Sequence, residues 1–240
     1  MSAYAIDAAR KRTGARGDGF AAVLLTLGAA ALFVGTLFYT RLTPELGLPA
    51  LPSARPQALA DALALGPQPL ALAGGVSFLG DCLLLAASIA LAARSARPSD
   101  LEAAGWALMA VSVALAVVFD SMIGVLFFPL AQGADPAPFL AFKGWFDFLF
   151  AACDVAFGLG LIAVLWADAR RGEPLLPRPL AYVGIAIGAA GVVSGLGYAI
   201  SALQMPLVNG LTFTFGCVIL AALGVQIGRR GASAAPVGAG

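Results

Sequence analysis

The sequence predicts an all-α, polytopic membrane protein: a bundle of six transmembrane helices with both termini on the cytoplasmic side. Three observations predict it, namely the apolar composition, six apolar runs of membrane-spanning length, and the distribution of Lys and Arg. Of the 240 residues, 60% are hydrophobic and 11% are charged, whereas soluble domains have roughly 45–50% and 25%. Because so few charges cannot cover a soluble core, we expect the apolar residues to face lipid.

Six apolar runs are long enough to cross a hydrocarbon core of about 30 Å, which takes roughly 20 residues at 1.5 Å each. They extend from about Phe20 to Tyr39, Leu72 to Ala93, Ala103 to Leu130, Phe139 to Trp166, Leu180 to Leu203 and Leu207 to Gly228. Helices are predicted because lipid cannot satisfy free backbone groups. Prolines fall in all five connections between the runs, as expected of segments that end helices.

The basic residues predict the orientation, because positively charged connections stay on the cytoplasmic side. Eleven of them precede the first run or follow the second, fourth and sixth: Arg10, Lys11, Arg12, Arg16, Arg94, Arg97, Arg170, Arg171, Arg178, Arg229 and Arg230. Arg41, Arg55 and Lys143 are left for the outer side. This alternation requires an even number of spans. The expected location is the cytoplasmic (inner) membrane, which the chain crosses several times.

The predicted organisation has three parts. Residues 1–19 form a basic cytoplasmic segment, residues 20–228 form the six-helix transmembrane domain, and residues 229–240 form a disordered cytoplasmic tail. The longest connection, residues 40–71, lies outside the membrane. It contains Leu59 and Leu63 one helical turn apart, which predicts a short interfacial helix there.

The most informative residues are four aspartates inside the predicted spans: Asp81, Asp120, Asp147 and Asp154. A charge at the bilayer centre costs roughly 2.5–3.5 kcal/mol, so all four are expected to face inward. Asp81 and Asp154 fall near the midplane, and Asp120 and Asp147 fall nearer the outer face. Lys143 precedes Asp147 by four residues, one helical turn, and is therefore its natural partner.

Two functions are compatible with these acids. In the first, the chain is a small transporter or channel that moves protons, a cation or a proton-coupled solute. Asp81 and Asp154 then form the midplane site, and Asp120, Asp147 and Lys143 line the path towards the outside. In the second, the chain is a non-catalytic subunit or assembly factor of a larger membrane complex, or forms a homo-oligomer. The acids would then serve in packing or docking.

The fifth span contains glycines at small-xxx-small spacing, which are Gly184, Gly188, Gly191 and Gly195. Helices in lipid associate through close backbone approach, and small residues allow it. We therefore expect this helix to lie in a tight packing seam. A glycine hinge is the alternative.

Several other functions lack the residues they need. The chain has no histidine, so His-ligated haem, common zinc proteases and Ser-His hydrolase chemistry are excluded within it. No run of basic and aromatic residues predicts a nucleic-acid partner. Cys82, Cys153 and Cys217 have no C-x-x-C spacing, so neither a zinc site nor a disulfide framework is predicted. No cofactor is expected.

One catalytic possibility survives the absence of histidine. Two aspartates within the membrane could hydrolyse a peptide bond together, because a pair of carboxyls can share one proton. Membrane aspartyl proteases carry a G-x-G-D element, and Phe78-Leu79-Gly80-Asp81 lacks its first glycine. An enzyme is therefore the third and least supported reading, and no catalytic residue is predicted.

Overall fold

The protein is all-helical. The computed structural model describes residues 3–39, 42–95, 99–199 and 206–233, and this part of the chain contains no strand. Its helices are α1 (Ala3–Tyr39), α2 (Pro44–Gly47), α3 (Arg55–Leu65), α4 (Pro67–Ser95), α5 (Asp100–Ser121), α6 (Phe127–Ala131), α7 (Ala137–Ala169), α8 (Arg178–Ala199) and α9 (Pro206–Ser233). A short 3-10 helix, Pro52–Ala54, precedes α3.

Six helices in the described residues are long and apolar enough to cross a membrane, which confirms the predicted number of spans. They are Gly19–Tyr39, Pro67–Ser95, Asp100–Ala131, Ala137–Ala169, Arg178–Ala199 and Val208–Ala232.

Local sequence sets the ends of two helices. Ser99 caps α5 by accepting a hydrogen bond from the backbone N–H of Glu102 at 3.3 Å, and Gly66 ends α3 with a φ of 77°, which favours glycine.

The spans pack against one another in chain order. α1 contacts α4, α4 contacts α5, α5 contacts α7, α7 contacts α8 and α8 contacts α9, while α9 also returns to α1. Glycines permit close approach: a Cβ on Gly80 would lie 2.8 Å from the backbone nitrogen of Leu32 in α1. The closed order of contacts lets polar side chains of several spans meet in the interior.

The third span is interrupted by one π-helical turn, Met122–Leu126, between α5 and α6. A Cβ on Gly74 in α4 would lie 2.6 Å from the backbone nitrogen of Gly124 in this turn. The backbones of the two spans are therefore in contact there. A π-turn inserts a residue into the helical ladder and is frequent at functional sites. This one begins two residues after Asp120.

The two ends of the spans differ in what connects them. The loop end carries residues 42–66, and the arginine end carries the connections after α4 and α7. At the loop end, α2 and α3 pack together, and α3 lies against α4, α6 and α7. The helix predicted around Leu59 and Leu63 is thus present as α3. We call residues 42–51, which pass across the loop end before α3, the strap.

Both ends of the chain are more helical than the sequence suggested. α1 begins at Ala3, so the basic segment is continuous with the first span. α9 continues to Ser233, which includes the first residues of the predicted tail, while residues 234–240 lie outside the described part. No proline separates either segment from its span, so nothing in the backbone forces the helix to stop.

Candidate functional site

Three spans bring polar side chains together at Asp81 of α4 and Asp120 of α5. The two buried carboxyls are neighbours. The hydroxyl of Tyr39, at the end of α1, donates a hydrogen bond to Oδ1 of Asp120. Neither carboxyl oxygen of Asp81 has a hydrogen-bond partner among the described residues. The site is therefore an adjacent pair of acids, of which Asp120 is bonded to a tyrosine and Asp81 has no donor unless the two carboxyls share a proton.

The described residues offer this pair no buried base. Lys143 is the one Lys or Arg in their buried set, and its ammonium is bonded to Asp147 and to the Leu48 carbonyl. Two adjacent buried carboxylates without a cation repel each other and lose their hydration. The arrangement therefore calls for a proton shared by the pair or for a bound cation.

A small cavity of about 40 Å³ lies against Asp120 of this pair. Five spans and the strap line it, and its wall is mostly apolar, with Asp120, Tyr39 and Ser77 among the polar exceptions. The hydroxyl of Thr36 also lines it, but this group already bonds to the carbonyls of Leu32 and Phe33, both at 2.8 Å. The cavity gives Asp120 a space into which water or a small cation could enter.

Asp154 of α7 occupies a separate position. Its Oδ1 accepts a 3.4 Å hydrogen bond from Thr212 of α9, while its Oδ2 is buried without a partner among the described residues. A Cβ on Gly191 of α8 would lie 3.6 Å from Oδ1. Asp154 therefore sits where α7, α8 and α9 meet, and it does not line the cavity beside Asp120.

Cys153 precedes Asp154 in α7. Its thiol is also within electrostatic range of Asp81 and Asp120, and it contacts the hydroxyl of Ser112 at 3.2 Å. The same hydroxyl donates to the Cys153 carbonyl at 3.0 Å. The three acids thus share one interior region, although two of them are adjacent and the third faces α9.

Asp147 is the centre of a different arrangement, at the loop end of α7. Its Oδ1 lies 2.5 Å from Nζ of Lys143 and accepts a 3.0 Å bond from the backbone N–H of Ala50. Its Oδ2 accepts a 3.0 Å bond from Nε of Arg55. Lys143 and Asp147 form the ion pair that their spacing predicts. We call Lys143, Asp147 and Arg55 the ion cluster.

Both cations of the ion cluster are held tightly. Lys143 also donates a 2.8 Å bond to the carbonyl of Leu48 and lies 4.4 Å from the ring centre of Phe146. Burial by itself lowers the pKa of the Arg55 guanidinium, but the hydrogen bond to Asp147 and interactions with Tyr198 leave that pKa above its ordinary value. Arg55 therefore stays charged, and Asp147 is fully engaged in structure.

The four glycines at small-xxx-small spacing in α8 are all buried. A Cβ on Gly188 would lie 2.7 Å from the carbonyl oxygen of Gly158 in α7, and a Cβ on Gly195 would lie 2.6 Å from that of Ala151. A Cβ on Gly184 would collide with the side chain of Leu165. Gly191 faces Asp154 at ordinary contact distance. α8 is a continuous helix through all four glycines. All four contact α7, as expected of residues in a packing seam.

Sequence reasoning missed two participants. Tyr39 gave no signal beyond its place at the end of a span, where tyrosine is common. Asp168 lies at the arginine end of α7, just outside the predicted run. It accepts hydrogen bonds from the backbone N–H groups of Leu175 and Leu176 at 2.8 and 3.1 Å, and so fixes the connection to α8.

Comparison of the chain with protein-family models, with curated proteins and with solved structures gives no match. The argument for function therefore rests on the geometry of the buried acids.

Proposed function

We propose that this protein moves protons, or a small cation in their place, across the membrane through a path centred on Asp81 and Asp120. In this proposal the arginine end faces the cytoplasm and the loop end faces outward, in the cytoplasmic membrane. The observation that carries the proposal is the adjacent pair of buried carboxyls beside a cavity, with no buried base assigned to it in the described residues.

The chemistry of such a pair suits a carrier of protons. One proton shared by two carboxyls removes the repulsion between them, and loss of that proton leaves two negative charges, one of which a proton or cation entering the cavity can neutralise. Tyr39 donates to Asp120 and borders the cavity. Its hydroxyl can accept a proton from water while passing its own to the carboxylate.

Asp154 supplies a second station on the proposed path. One of its oxygens is buried without a partner in the described part of the chain, which is costly unless the carboxyl is protonated or hydrated. Cys153, which adjoins Asp154 and is within electrostatic range of Asp81 and Asp120, contacts Ser112. Asp147 and Lys143, by contrast, serve the loop end and carry no step of the proton path.

Two other functions each have an observation in their favour. Adjacent carboxyls that share one proton are also the reacting groups of aspartyl hydrolases, which keeps hydrolysis of a membrane peptide as a second candidate. Asp147 and Asp168 hold connecting segments, so buried acids in this chain also serve architecture, as they would in a non-catalytic subunit of a membrane complex.

Purified protein in liposomes that contain a pH-sensitive dye tests the proposal. Proton entry is measured under an imposed pH gradient, and Na⁺ and K⁺ gradients are tested in parallel. The wild type is compared with Asp81→Asn, Asp120→Asn and Asp154→Asn. Asp135→Asn is the matched control, because Asp135 is exposed in the connection before α7.

We expect flux in the wild type and in the control, and loss of flux to the level of empty liposomes in Asp81→Asn and Asp120→Asn. No wild-type flux under any gradient would refute the proposal. Cleavage of an added membrane peptide that depends on Asp81 would then support the hydrolase. A copurifying membrane protein, with no cleavage, would support the subunit role.

A further inference from the structure

The strap closes the cavity at the loop end. Leu48 is its residue in the cavity wall, on the same cavity as Tyr39 and Asp120. A Cβ on Gly210 of α9 would lie 3.3 Å from Cδ2 of Leu48, and one on Gly47 would lie 3.4 Å from Cδ1 of Tyr39. The strap therefore bridges α9 and α1 at the point where the cavity faces the loop end.

The strap is held there through three polar contacts of its backbone. Lys143 donates to the carbonyl of Leu48 at 2.8 Å, and the N–H of Ala50 donates to Asp147 at 3.0 Å. The hydroxyl of Tyr198 in α8 donates to the carbonyl of Ala50 at 3.3 Å. Three bonds to side chains of α7 and α8 thus fall on a stretch of three residues.

A buried ion pair is an unusual way to fix a segment permanently. Lys143 and Asp147 are both 0% exposed, and removing two charges from water costs about as much as their mutual attraction returns, so the pair serves the strap chiefly through its bonds to Leu48 and Ala50. These polar contacts are exchangeable, because water can replace each of them when the segment moves away. If the strap moved away from Lys143 and Asp147, two of its backbone groups would lose their partners together: the carbonyl of Leu48 and the N–H of Ala50.

We propose that the strap is a gate over the Asp120 cavity and that the ion cluster is its latch. The closed state is the one described above. In the open state, residues 48–50 leave the ion cluster, Leu48 withdraws from Gly210, and water from the loop end reaches Tyr39 and Asp120. This proposal rests on the proposed proton path and adds that the strap regulates access to it.

A reversible cross-link tests the gate. Leu48→Cys and Gly210→Cys are combined, because the two side chains would be in contact, and the disulfide is formed with an oxidant and confirmed by mass spectrometry. Each single variant, treated identically, controls for oxidation of Cys82, Cys153 and Cys217. Proton flux is then measured in liposomes before oxidation, after oxidation and after reduction.

We expect flux to fall to background in the cross-linked double variant and to return on reduction, whereas oxidation should not alter the flux that each single variant shows before treatment. Undiminished flux with the cross-link in place would overturn the gate while leaving the proton path intact. If neither the reduced double variant nor the wild type showed flux, the result would count against the proton path. A second measurement, which does not depend on flux, would then test the gate.

That measurement is the access of a membrane-impermeant thiol reagent to Thr36→Cys, which lines the cavity. In this background we expect Lys143→Met to speed modification at least tenfold, which corresponds to about 1.4 kcal/mol. Tyr198→Phe, which removes one strap contact and no charge, should shift the rate in the same direction. Asp135→Asn should not alter it. Equal rates in all four proteins would refute the latch.

Discussion

The ion cluster allows a sharp prediction about stability, because Asp147 holds two cations and one backbone N–H together. Asp147→Ala would leave the fully buried ammonium of Lys143 without its carboxylate and would free the N–H of Ala50. Breaking a buried ion pair by removing one partner costs about 3–5 kcal/mol. Arg55 is partly exposed and turns to water at little cost, so we expect a loss near 3 kcal/mol.

The prediction is checked by thermal unfolding of purified protein in detergent. For a chain of this length, 1 kcal/mol shifts Tm by about 2–4 °C, so Asp147→Ala should lower Tm by about 6–12 °C. Asp61→Ala is the matched control: Asp61 also lies at the loop end and accepts bonds from Gln57 and Thr43, but no buried base depends on it. Its Tm should fall by much less.

The double variant Lys143→Met with Asp147→Leu supplies the refuting result. If the cost arises mainly from an uncompensated buried charge, removing both partners should recover the part of the loss that the stranded ammonium causes, since apolar replacement of a whole buried pair is often neutral, while the N–H of Ala50 and the carbonyl of Leu48 stay without their partners. A double variant as unstable as the sum of the two single variants would mean that the pair does not interact as described. We therefore expect a large, favourable coupling free energy between Lys143 and Asp147.

Two further predictions concern helix packing and the arginine end. Gly158→Ala should destabilise the protein by about 1–3 kcal/mol, because its Cβ would collide with the carbonyl of Gly188; Gly75→Ala, with open space around the new Cβ, should leave Tm unchanged or raised. Asp168→Ala should cost about 1.5–3 kcal/mol and speed tryptic cleavage between α7 and α8, because the N–H groups of residues 175–176 lose their acceptor. Equal Tm values for Gly158→Ala and Gly75→Ala would contradict the close contact between Gly158 and Gly188. An unchanged rate of tryptic cleavage in Asp168→Ala would contradict the role of Asp168 as acceptor.

The spans could be predicted from the sequence because the membrane imposes a length and a polarity on each of them. The same rule explains the errors at the ends. Hydropathy stops at the interface, whereas a helix stops where a proline, a cap or a glycine stops it. α1 therefore runs from Ala3, and α9 to Ser233, well beyond their apolar cores.

The partners of the acids could be predicted only where they lie on one helix. Lys143 and Asp147 are one turn apart, so their pairing follows from helical geometry. Asp81 was expected to meet Asp154, because both fall near the midplane. Depth along a helix does not tell which way a side chain points: α4 packs directly on α5, and Asp81 has Asp120 as its neighbour instead.

The contrast among the buried acids is the strongest argument for function. Asp168 lies at one end of α7 and Asp147 about three turns from the other, and basic side chains and the backbone N–H groups of connecting segments satisfy both. Asp81 and Asp154 lie far from such donors, and each keeps unsatisfied oxygens within the described residues. Packing alone would be served better by an asparagine, a serine or an apolar residue there. A carboxyl in that position gains its advantage when it takes up and releases a proton or a cation.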